Sequence, residues 1–494
     1  MRRTLLVLGL SGLVTTGFAS RPAFAQDEPE TDATKTATTE TEHNTEEPKS
    51  AVTKPAPVLS PEEGAAPVSA PPPARPKFGD MTVTGYFRGG FGASSQKGRQ
   101  TCFGLALPGN LFSKYRLGNE CEVWSETHFT FVTYVGDDGT VSTLHFMPTI
   151  FIPTWFTGYT PTGVINSPAR LTTSTGATVA FPNLYVDLKG VSGLGGGTAW
   201  VGTRYYKREF IYISDFFYWN PSGVGAGVED INLGDDLRLS VAVFAVDGEP
   251  QSPPDATAPP IPAQFDFGAR PDIQLRGIKL WPGGEIQLGF QGILNYSNDP
   301  ATHSGWGATI QIVQQVLGGD NKLAFQYGKG GGTGFGTLAR FYYPDFSVRH
   351  DLTESRFRAV DVFTIQPTSW YGQQIGLVYQ HDSSNGSTQN WYSAGSRVSV
   401  APYRHLKVLG EAGYDRVTKS VGSAPQWLFK ATGAIALTAD RGLLSRPEFR
   451  IFYTWATWNA EAAVPGIDSA RLYTDTYPQY LAGSTFGVQA ETWW

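Results

Sequence analysis

The sequence is poor in cysteine, in charge and in long apolar runs. It contains 2 cysteines among 494 residues, and 17% of its residues are charged. Its 7 histidines are scattered, with no cluster near the cysteines, so the ligand spacing of a zinc site is missing and no metal site is predicted. Beyond the N-terminus, no segment has the roughly 20 uninterrupted apolar residues of a transmembrane helix. The rest of the chain is therefore either a soluble fold or a β-barrel.

The N-terminus has the pattern of a secretion signal. Two arginines precede an apolar stretch from Leu5 to Phe18, and Ala23-Phe24-Ala25 supplies small residues for cleavage. The stretch is too short, and too often interrupted by Gly and Thr, to span a bilayer comfortably. We therefore predict that residues 1–25 are a cleaved signal peptide and that the chain is exported.

Residues 26–77 are rich in Pro, Ala, Thr, Glu and Ser and contain almost no aromatic side chains. Such a segment cannot bury enough apolar area to offset the entropy of ordering. Its first half is acidic, and proline runs such as Pro71-Pro72-Pro73 in its second half favour an extended spacer. We predict a disordered periplasmic tether; contact with the cell wall or with a partner protein is the alternative.

From residue 78 onward, the sequence changes to short runs of alternating apolar and polar residues between Gly, Pro, Asn and Asp, the pattern of antiparallel strands. In the first run, Met81 and Val83 share one face while Tyr86 and Arg88 share the other. One apolar face and one polar, aromatic face fit a wall between lipid and water. The 417 residues (494 − 77) suffice for roughly 16 to 18 spanning strands. We predict an all-β fold, a transmembrane antiparallel β-barrel over residues 78–494.

The connections are predicted to differ between the two ends of the barrel. Trp281-Pro282-Gly283-Gly284 is a tight break, whereas Pro250 to Gln264 and Asn459 to Thr485 are long loops. Short turns at one end and long loops at the other are typical of outer-membrane barrels. Cys102 and Cys121 bracket another loop, and as the two cysteines of an exported chain they are expected to form a disulfide.

Large aromatic residues occur on the predicted lumenal face, where polar side chains are usual. Alternation places Tyr86, Trp124 and Trp493 there, on the first, second and last strands, which are neighbours in a closed barrel. Aromatic rings stack on the apolar face of a pyranose, and nearby carboxylates and guanidinium groups can bind its hydroxyl groups. The pattern predicts a sugar-binding track; the alternative is that these rings fill space or form an interfacial girdle. Trp494 is expected to face lipid.

The segment from Ser113 to Glu122 resembles the early part of the maltoporin family of carbohydrate porins. Further matches follow in the family's order over essentially residues 78–494: Gly85-Tyr86-Phe87-Arg88, Tyr205-Tyr206-Lys207-Arg208, Asp215-Phe216-Phe217-Tyr218-Trp219, Gly223-Val224-Gly225-Ala226-Gly227, Ser445-Arg446-Pro447 and Trp493-Trp494. The resemblance implies a homotrimeric porin of 18 strands with an inward-folded loop and a lumenal aromatic track for glucan chains. It also implies that the two cysteines form the disulfide of the first external loop.

The resemblance assigns roles to individual positions. Tyr86, Trp124 and Trp493 fall on the aromatic track, and Phe217 takes the place of a tyrosine at the constriction. The positions of the polar track are Arg88, Arg116, Glu126, Arg208 and Asp215.

The sequence also departs from the family pattern at several of these positions. Track aromatics are replaced or displaced at Leu444 and near Pro271, a polar-track arginine is replaced by Pro182, and aspartates are replaced by Phe210 and Asn220. Fewer stacking rings and hydroxyl partners predict weaker binding of long linear glucans. Trp155 is a candidate for the tryptophan that a neighbouring subunit contributes.

No catalytic residue and no cofactor are predicted. Glu122 and Glu126 share a face, but at about 3.3 Å per residue they lie roughly 13 Å apart, beyond the about 5–9.5 Å of paired glycosidase carboxylates. The arginines of the track have acids beside them and the domain is not basic, which disfavours a nucleic-acid partner.

The sequence predicts a passive channel in the outer membrane of a Gram-negative bacterium. Its expected substrate is maltose, a malto-oligosaccharide or a related sugar such as sucrose. Its expected partners are outer-membrane lipid, two further copies of the chain and the barrel-assembly machinery. The alternatives are a general diffusion porin and a secreted sugar-binding protein or glycosidase.

Overall fold

A computed structural model describes residues 76–95, 100–107, 111–153, 171–172, 178–247, 267–334, 348, 352–420, 424–463 and 481–494. The predicted signal peptide lies outside these ranges, and so does the tether except for its last two residues. Trp155 and the predicted loop from Pro250 to Gln264 also lie outside them.

The described residues form strands and three short 3-10 turns. The strands are β1 (Met81–Ser94), β2 (Leu105–Leu107), β3 (Leu111–Ser113), β4 (Glu122–Val135), β5 (Val141–Pro153), β6 (Leu171–Thr172), β7 (Thr178–Lys189), β8 (Thr198–Arg204), β9 (Glu209–Ile211), β10 (Phe216–Trp219), β11 (Gly223–Gly234), β12 (Leu237–Asp247), β13 (Phe267–Trp281), β14 (Gly284–Asn295), β15 (Gly305–Val316), β16 (Gly319–Lys329), β17 (Ser355–Thr368), β18 (Tyr371–Ser384), β19 (Ser387–Tyr403), β20 (Leu406–Lys419), β21 (Gln426–Thr438), β22 (Glu448–Trp458) and β23 (Ala482–Trp493). The 3-10 turns are Tyr212–Ser214, Gly330–Thr333 and Ala460–Ala463.

Eighteen of these strands close into an antiparallel barrel, as the sequence predicts. The wall consists of β1, β4, β5, β7, β8 and β11 to β23, while β6 extends the sheet beside β7. Closure is direct, because β1 pairs with β4 along one edge and with β23 along the other. In this register, Tyr86 lies opposite Trp493 on β23 and opposite Glu126 on β4.

The wall is apolar outside and polar inside, the reverse of a soluble β-sandwich. On β22, Phe449 and Ile451 are 59% and 69% exposed on the outer face. The alternating residues Glu448 and Arg450 are 1% and 3% exposed, because they point inward and are covered. Exposed apolar side chains around the outside require lipid as the surrounding solvent.

The connections at the two ends of the barrel differ, as predicted. The chain between β13 and β14 is the two-residue turn Pro282 and Gly283, and Gly283 adopts the left-handed φ of +72° that this turn needs. The predicted loop from Asn459 to Thr485 is too long by a few residues, because β23 begins at Ala482 and Thr485 pairs with Ser94 inside the wall.

Two connections of the long-loop end fold into the barrel. The first inward segment, described over residues 100–107 and 111–121, follows β1 and carries the disulfide between Cys102 and Cys121, whose Cα atoms are 5.9 Å apart. The second inward segment, residues 205–222, joins β8 to β11 and contains β9, β10 and one 3-10 turn. The resemblance implies one inward-folded loop; the described residues include two inward-folded segments, and both border the lumen.

Candidate functional site in the barrel lumen

The first inward segment is held against the wall by one aromatic ring. Gly395 on β19 and Gly413 on β20 are cross-strand partners, and a Cβ atom on either would overlap the ring of Tyr115. The Tyr115 hydroxyl shares a 2.9 Å hydrogen bond with the Ser393 hydroxyl. The paired glycines therefore form a flat recess for this ring, which only residues without a side chain provide.

The wall also binds the main chain of the same segment. The Leu117 N–H donates to the Glu411 carboxylate at 2.8 Å, and the Leu117 carbonyl accepts from the Lys430 ammonium at 2.7 Å. Glu411 is itself paired with Lys430 at 2.8 Å and with Arg397 at 2.6 Å. A buried charge network of this kind satisfies the polar groups of an otherwise irregular segment.

The second inward segment is anchored on the wall strands β15, β17 and β18. The Ile213 N–H donates to the Gln374 side-chain oxygen at 3.0 Å, and the Tyr218 hydroxyl donates to the Gln311 side chain at 2.7 Å. The Tyr218 carbonyl accepts from the Arg358 guanidinium at 3.2 Å. These bonds fix the residues that reach into the lumen from this segment.

Two of the predicted track aromatics form a stacked pair. The ring centroids of Tyr86 and Trp493 are 6.4 Å apart and their planes meet at 21°. Trp124 lies on the neighbouring strand, as predicted, but its side chain is only 9% exposed. The Arg88 guanidinium lies 5.3 Å from the Trp124 ring, and Phe151 meets that ring edge-on at 6.4 Å. The structure thus places a half-buried aromatic pair at the seam and a largely covered ring beside it.

Glu491 connects the aromatic pair to both inward segments. Its carboxylate accepts from the Tyr86 hydroxyl at 2.9 Å, from the Tyr212 hydroxyl at 2.7 Å and from the Arg116 guanidinium at 3.1 Å. Three arginines surround it in all: Arg116, Arg446 at 2.7 Å and Arg450. Such dense pairing leaves this buried acid ionised and fixes the Tyr86 ring.

Arg446 also covers one side of the track. It lies in the connection between β21 and β22, and its guanidinium is 4.7 Å from the centroid of the Trp493 ring. Leu444, in the same connection, packs with Trp493 against the buried core. This leucine is the position where the family resemblance expects a further tryptophan, so the track has an aliphatic contact there.

Arg88 and Asp215 form the centre of the polar track. Arg88 pairs with Glu120 at 3.1 Å, with Glu122 at 3.0 Å and with Asp215 at 2.9 Å. Asp215 adopts a left-handed backbone with φ of +54° at the end of the 3-10 turn, a conformation that Asp tolerates better than most residues.

The ionisation of Asp215 follows from its neighbours. Burial raises the pKa of the Asp215 carboxyl, but the positive charges of Arg88, Arg116 and Lys114 outweigh burial and lower this pKa to about 2. Asp215 therefore remains a carboxylate over the whole physiological range, as a partner for donors in the lumen.

Arg208 stacks between aromatic rings of the second inward segment. Its guanidinium lies 3.4 Å from the Tyr205 ring centroid and 4.6 Å from that of Phe217. Phe210 stacks on Phe217, with centroids 5.0 Å apart and planes at 17°. At the other end, the Tyr205 hydroxyl donates to the Glu126 carboxylate at 3.4 Å. The predicted residues Arg208, Phe217 and Glu126 are thus brought together.

Sequence reasoning missed several lumen residues. Tyr205 and Arg446 lie in recognised motifs without an assigned role, while Tyr212 gave no periodic signal because it lies in an irregular connection. Asn220, at a position where the family carries an aspartate, is fully buried, and its side-chain oxygen accepts a 2.5 Å bond from Ser222. It therefore supports the inward segment from within.

The side chains of the lumen are suited to ring stacking and hydrogen bonding. Glu122, the acid considered for a glycosidase pair, is 1% exposed and paired with Arg88 and Lys114. Among the described ranges, no group of three or more His, Cys, Asp or Glu side chains is arranged to hold a metal ion. What the lumen offers is stacked rings with carboxylates, guanidinium groups and hydroxyls at their edges.

A closed wall of 18 antiparallel strands, apolar outside and lined with polar loops inside, defines an outer-membrane porin, a channel rather than an enzyme. The profile of the LamB porin family matches residues 81–494, and the chain belongs to this family. This membership places it in the outer membrane of Gram-negative bacteria. It disfavours the alternative of a secreted soluble protein.

Solved porin structures resemble the chain more distantly. OccAB1 of Acinetobacter baumannii is 9% identical with a TM-score of 0.43, over 84% of this chain and 97% of that one. OpdK of Pseudomonas aeruginosa with vanillate is 12% identical with a TM-score of 0.40, over 84% and 99%. OmpT of Vibrio cholerae in trimer form is 8% identical with a TM-score of 0.37, over 85% and 100%.

Proposed function

We propose that the channel is selective for sugars and lets maltose, malto-oligosaccharides or a related sugar such as sucrose diffuse passively across the outer membrane. The observation that carries this proposal is the stacked pair of Tyr86 and Trp493, with Glu126 opposite Tyr86 in the next strand. A pyranose ring can lie on these two rings while its edge hydroxyls bind charged neighbours. No energy source is needed for such facilitated diffusion.

The geometry favours a moving ligand over a tightly held one. Each ring–sugar stack contributes only about 0.5–1.5 kcal/mol, and adjacent stacking surfaces let a chain exchange one contact for the next. The partly exposed side chains of Glu126, Arg208 and Asp215, held by the contacts described above, can exchange hydrogen bonds with hydroxyls without reorganising. Weak, repeated contacts accelerate passage because they raise the local sugar concentration without trapping the sugar.

The test is block of ion current by sugars in planar bilayers. Purified wild-type protein should show a small conductance that falls in a saturable way with sucrose, maltose or longer malto-oligosaccharides. Trp493→Ala and Tyr86→Ala should each raise the half-blocking concentration about tenfold, since each removes one stacking surface, about 1.4 kcal/mol. Phe449→Ala, on the lipid-facing side of β22, is the control and should leave it unchanged.

A general diffusion porin gives the opposite results. Its conductance is large, no sugar in the panel changes it, and the two alanine variants behave as the wild type. Any one sugar that blocks the wild type but not the Trp493→Ala variant excludes this alternative.

The active form that we propose is a homotrimer in outer-membrane lipid, inserted by the barrel-assembly machinery after export with cleavage of residues 1–25. The apolar outer wall and the membership of the LamB porin family support it. Chemical cross-linking in isolated outer membranes and N-terminal sequencing of the mature chain test the two parts separately.

A further inference from the structure

Phe210 projects from the second inward segment away from the wall. Its neighbours on β9 fix this direction: Glu209 pairs with Arg276 and Lys322 at 2.9 Å each, and Ile211 packs against Gly376 of β18. Because side chains alternate along a strand, Phe210 must point to the opposite side, and it is 41% exposed. Since Glu209 and Ile211 face the wall, the ring of Phe210 faces the lumen.

Phe210 is one end of a continuous stack. The order is Phe210, Phe217, the Arg208 guanidinium and Tyr205, with the distances given above. The Tyr205 hydroxyl contacts Glu126, whose Cα partner across the sheet is Tyr86. A belt of rings and charges therefore runs around part of the lumen, from Trp493 to Phe210.

We propose that the exposed ring of Phe210, supported from behind by Phe217, forms a second sugar-stacking surface, and that this surface selects pyranoses whose two ring faces are both apolar. The inference rests on the proposed function, because it assumes that a sugar lies on Tyr86 and Trp493. A sugar that contacts aromatic rings from both ends of the belt exposes both of its faces to them, while Glu126 and Arg208 bind its edge.

The stereochemistry of the sugar decides whether this contact is favourable. A glucose-type ring has equatorial hydroxyls, so axial C–H groups cover both faces and both can stack on aromatic rings. A galactose-type ring has an axial hydroxyl at C4, which makes one face polar. Against Phe210 that hydroxyl would lose its hydrogen bonds to water without replacement.

Cellobiose and lactose provide a matched pair of ligands, because they differ only in the configuration at C4 of the non-reducing ring. In wild-type channels, cellobiose should block ion current at a concentration at least about threefold lower than lactose. In Phe210→Ala and Phe210→Leu channels this ratio should fall towards one. Leucine keeps the apolar bulk but not the flat ring, so the Leu variant separates stacking from packing.

The controls distinguish a misfolded variant, a failure of the proposed function and a failure of the inference about Phe210. Unblocked open-channel conductance and the heat-modifiable band on gels establish that each variant is folded. If no sugar blocks the wild type, the proposed function itself fails. If sugars block the wild type but the cellobiose-to-lactose ratio is the same in wild-type, Phe210→Ala and Phe210→Leu channels, Phe210 is not a selectivity residue and the inference is overturned. A wild-type ratio of one overturns it as well.

Discussion

The main-chain N–H of Arg116 donates a 2.9 Å hydrogen bond to the carbonyl oxygen of Ile213, which joins the two inward segments inside the barrel. Each segment is also bonded to the wall, the first to β19 to β21 and the second to β15, β17 and β18, and both bond to Glu491 on β23. The lumen is therefore bordered by one connected inner layer. We therefore expect a change at one anchor to affect residues on the other segment.

The recess under Tyr115 gives a direct test of this connection. Gly413→Ala should lower the temperature of the heat-modification shift, because a Cβ there overlaps the Tyr115 ring and overpacking costs about 1–3 kcal/mol. It should also weaken sugar block, since Arg116 follows Tyr115 in the chain. Gly410→Ala is the matched control on the same strand, where an added Cβ meets no atom within 4 Å. Equal effects of the two variants would refute the recess.

The disulfide should stabilise the first inward segment. Cys102 and Cys121 are 19 positions apart, and a cross-link over a loop of this length contributes about 3 kcal/mol, largely by restricting the unfolded chain. The double variant Cys102→Ser, Cys121→Ser should show an earlier heat-modification shift. Reductant should shift the wild type towards the variant and leave the variant itself unaffected. A wild type that is insensitive to complete reduction contradicts the prediction.

The ion pair between Arg88 and Asp215 should persist well into the acid range. The pKa of Asp215 is lowered to about 2 from its ordinary value of 3.8, so its stabilising contribution is full above about pH 3.8 and is lost as the pH falls through about 2. Asp215→Asn should therefore shift the heat-modification temperature by nearly the same amount at pH 7 and pH 4, with the difference from wild type shrinking below about pH 3.8. A difference at pH 4 that is much smaller than the difference at pH 7 would show that the pKa of Asp215 is not lowered in the folded protein.

Arg446 should orient Trp493 through its flat guanidinium rather than through charge alone. Arg446→Lys keeps a cation near Glu491 but loses the planar contact with the indole and several hydrogen bonds, so we expect about a threefold weaker sugar block and an earlier heat-modification shift. Arg441→Lys, in the same connection, is the control and should behave as the wild type. Full sugar affinity in the Arg446→Lys channel would mean that charge alone suffices.

Alternation along the strands explains why much of the fold and part of the site are predictable. A period of two places Tyr86, Glu126 and Trp493 inside the wall once the strands are recognised, and closure makes them neighbours. The paths of the inward segments have no such period. They depend on contacts between residues far apart in the sequence, such as Tyr115 with Gly413, which no local pattern encodes.

Because such long-range contacts have no local pattern, the exposure and the partners of some residues could not be predicted from the sequence. Alternation predicts correctly that Trp124 lies on the lumenal face. It does not predict that the Arg88 guanidinium and the edge of Phe151 cover the Trp124 ring. Phe210 is the reverse case. Its direction follows from simple alternation with Glu209 and Ile211, but only after the structure identifies residues 209–211 as a strand inside the barrel.

The pairing of Tyr86 with Trp493 has a consequence for biogenesis. These residues are 407 positions apart (493 − 86), and they meet only when the first and last strands join. An unclosed sheet of the same chain lacks the stacked pair, however complete its other strands are. In the proposed sugar channel, block of current by sugar would therefore also report on assembly, because a barrel with an open seam conducts ions but lacks the stacked pair that binds the sugar.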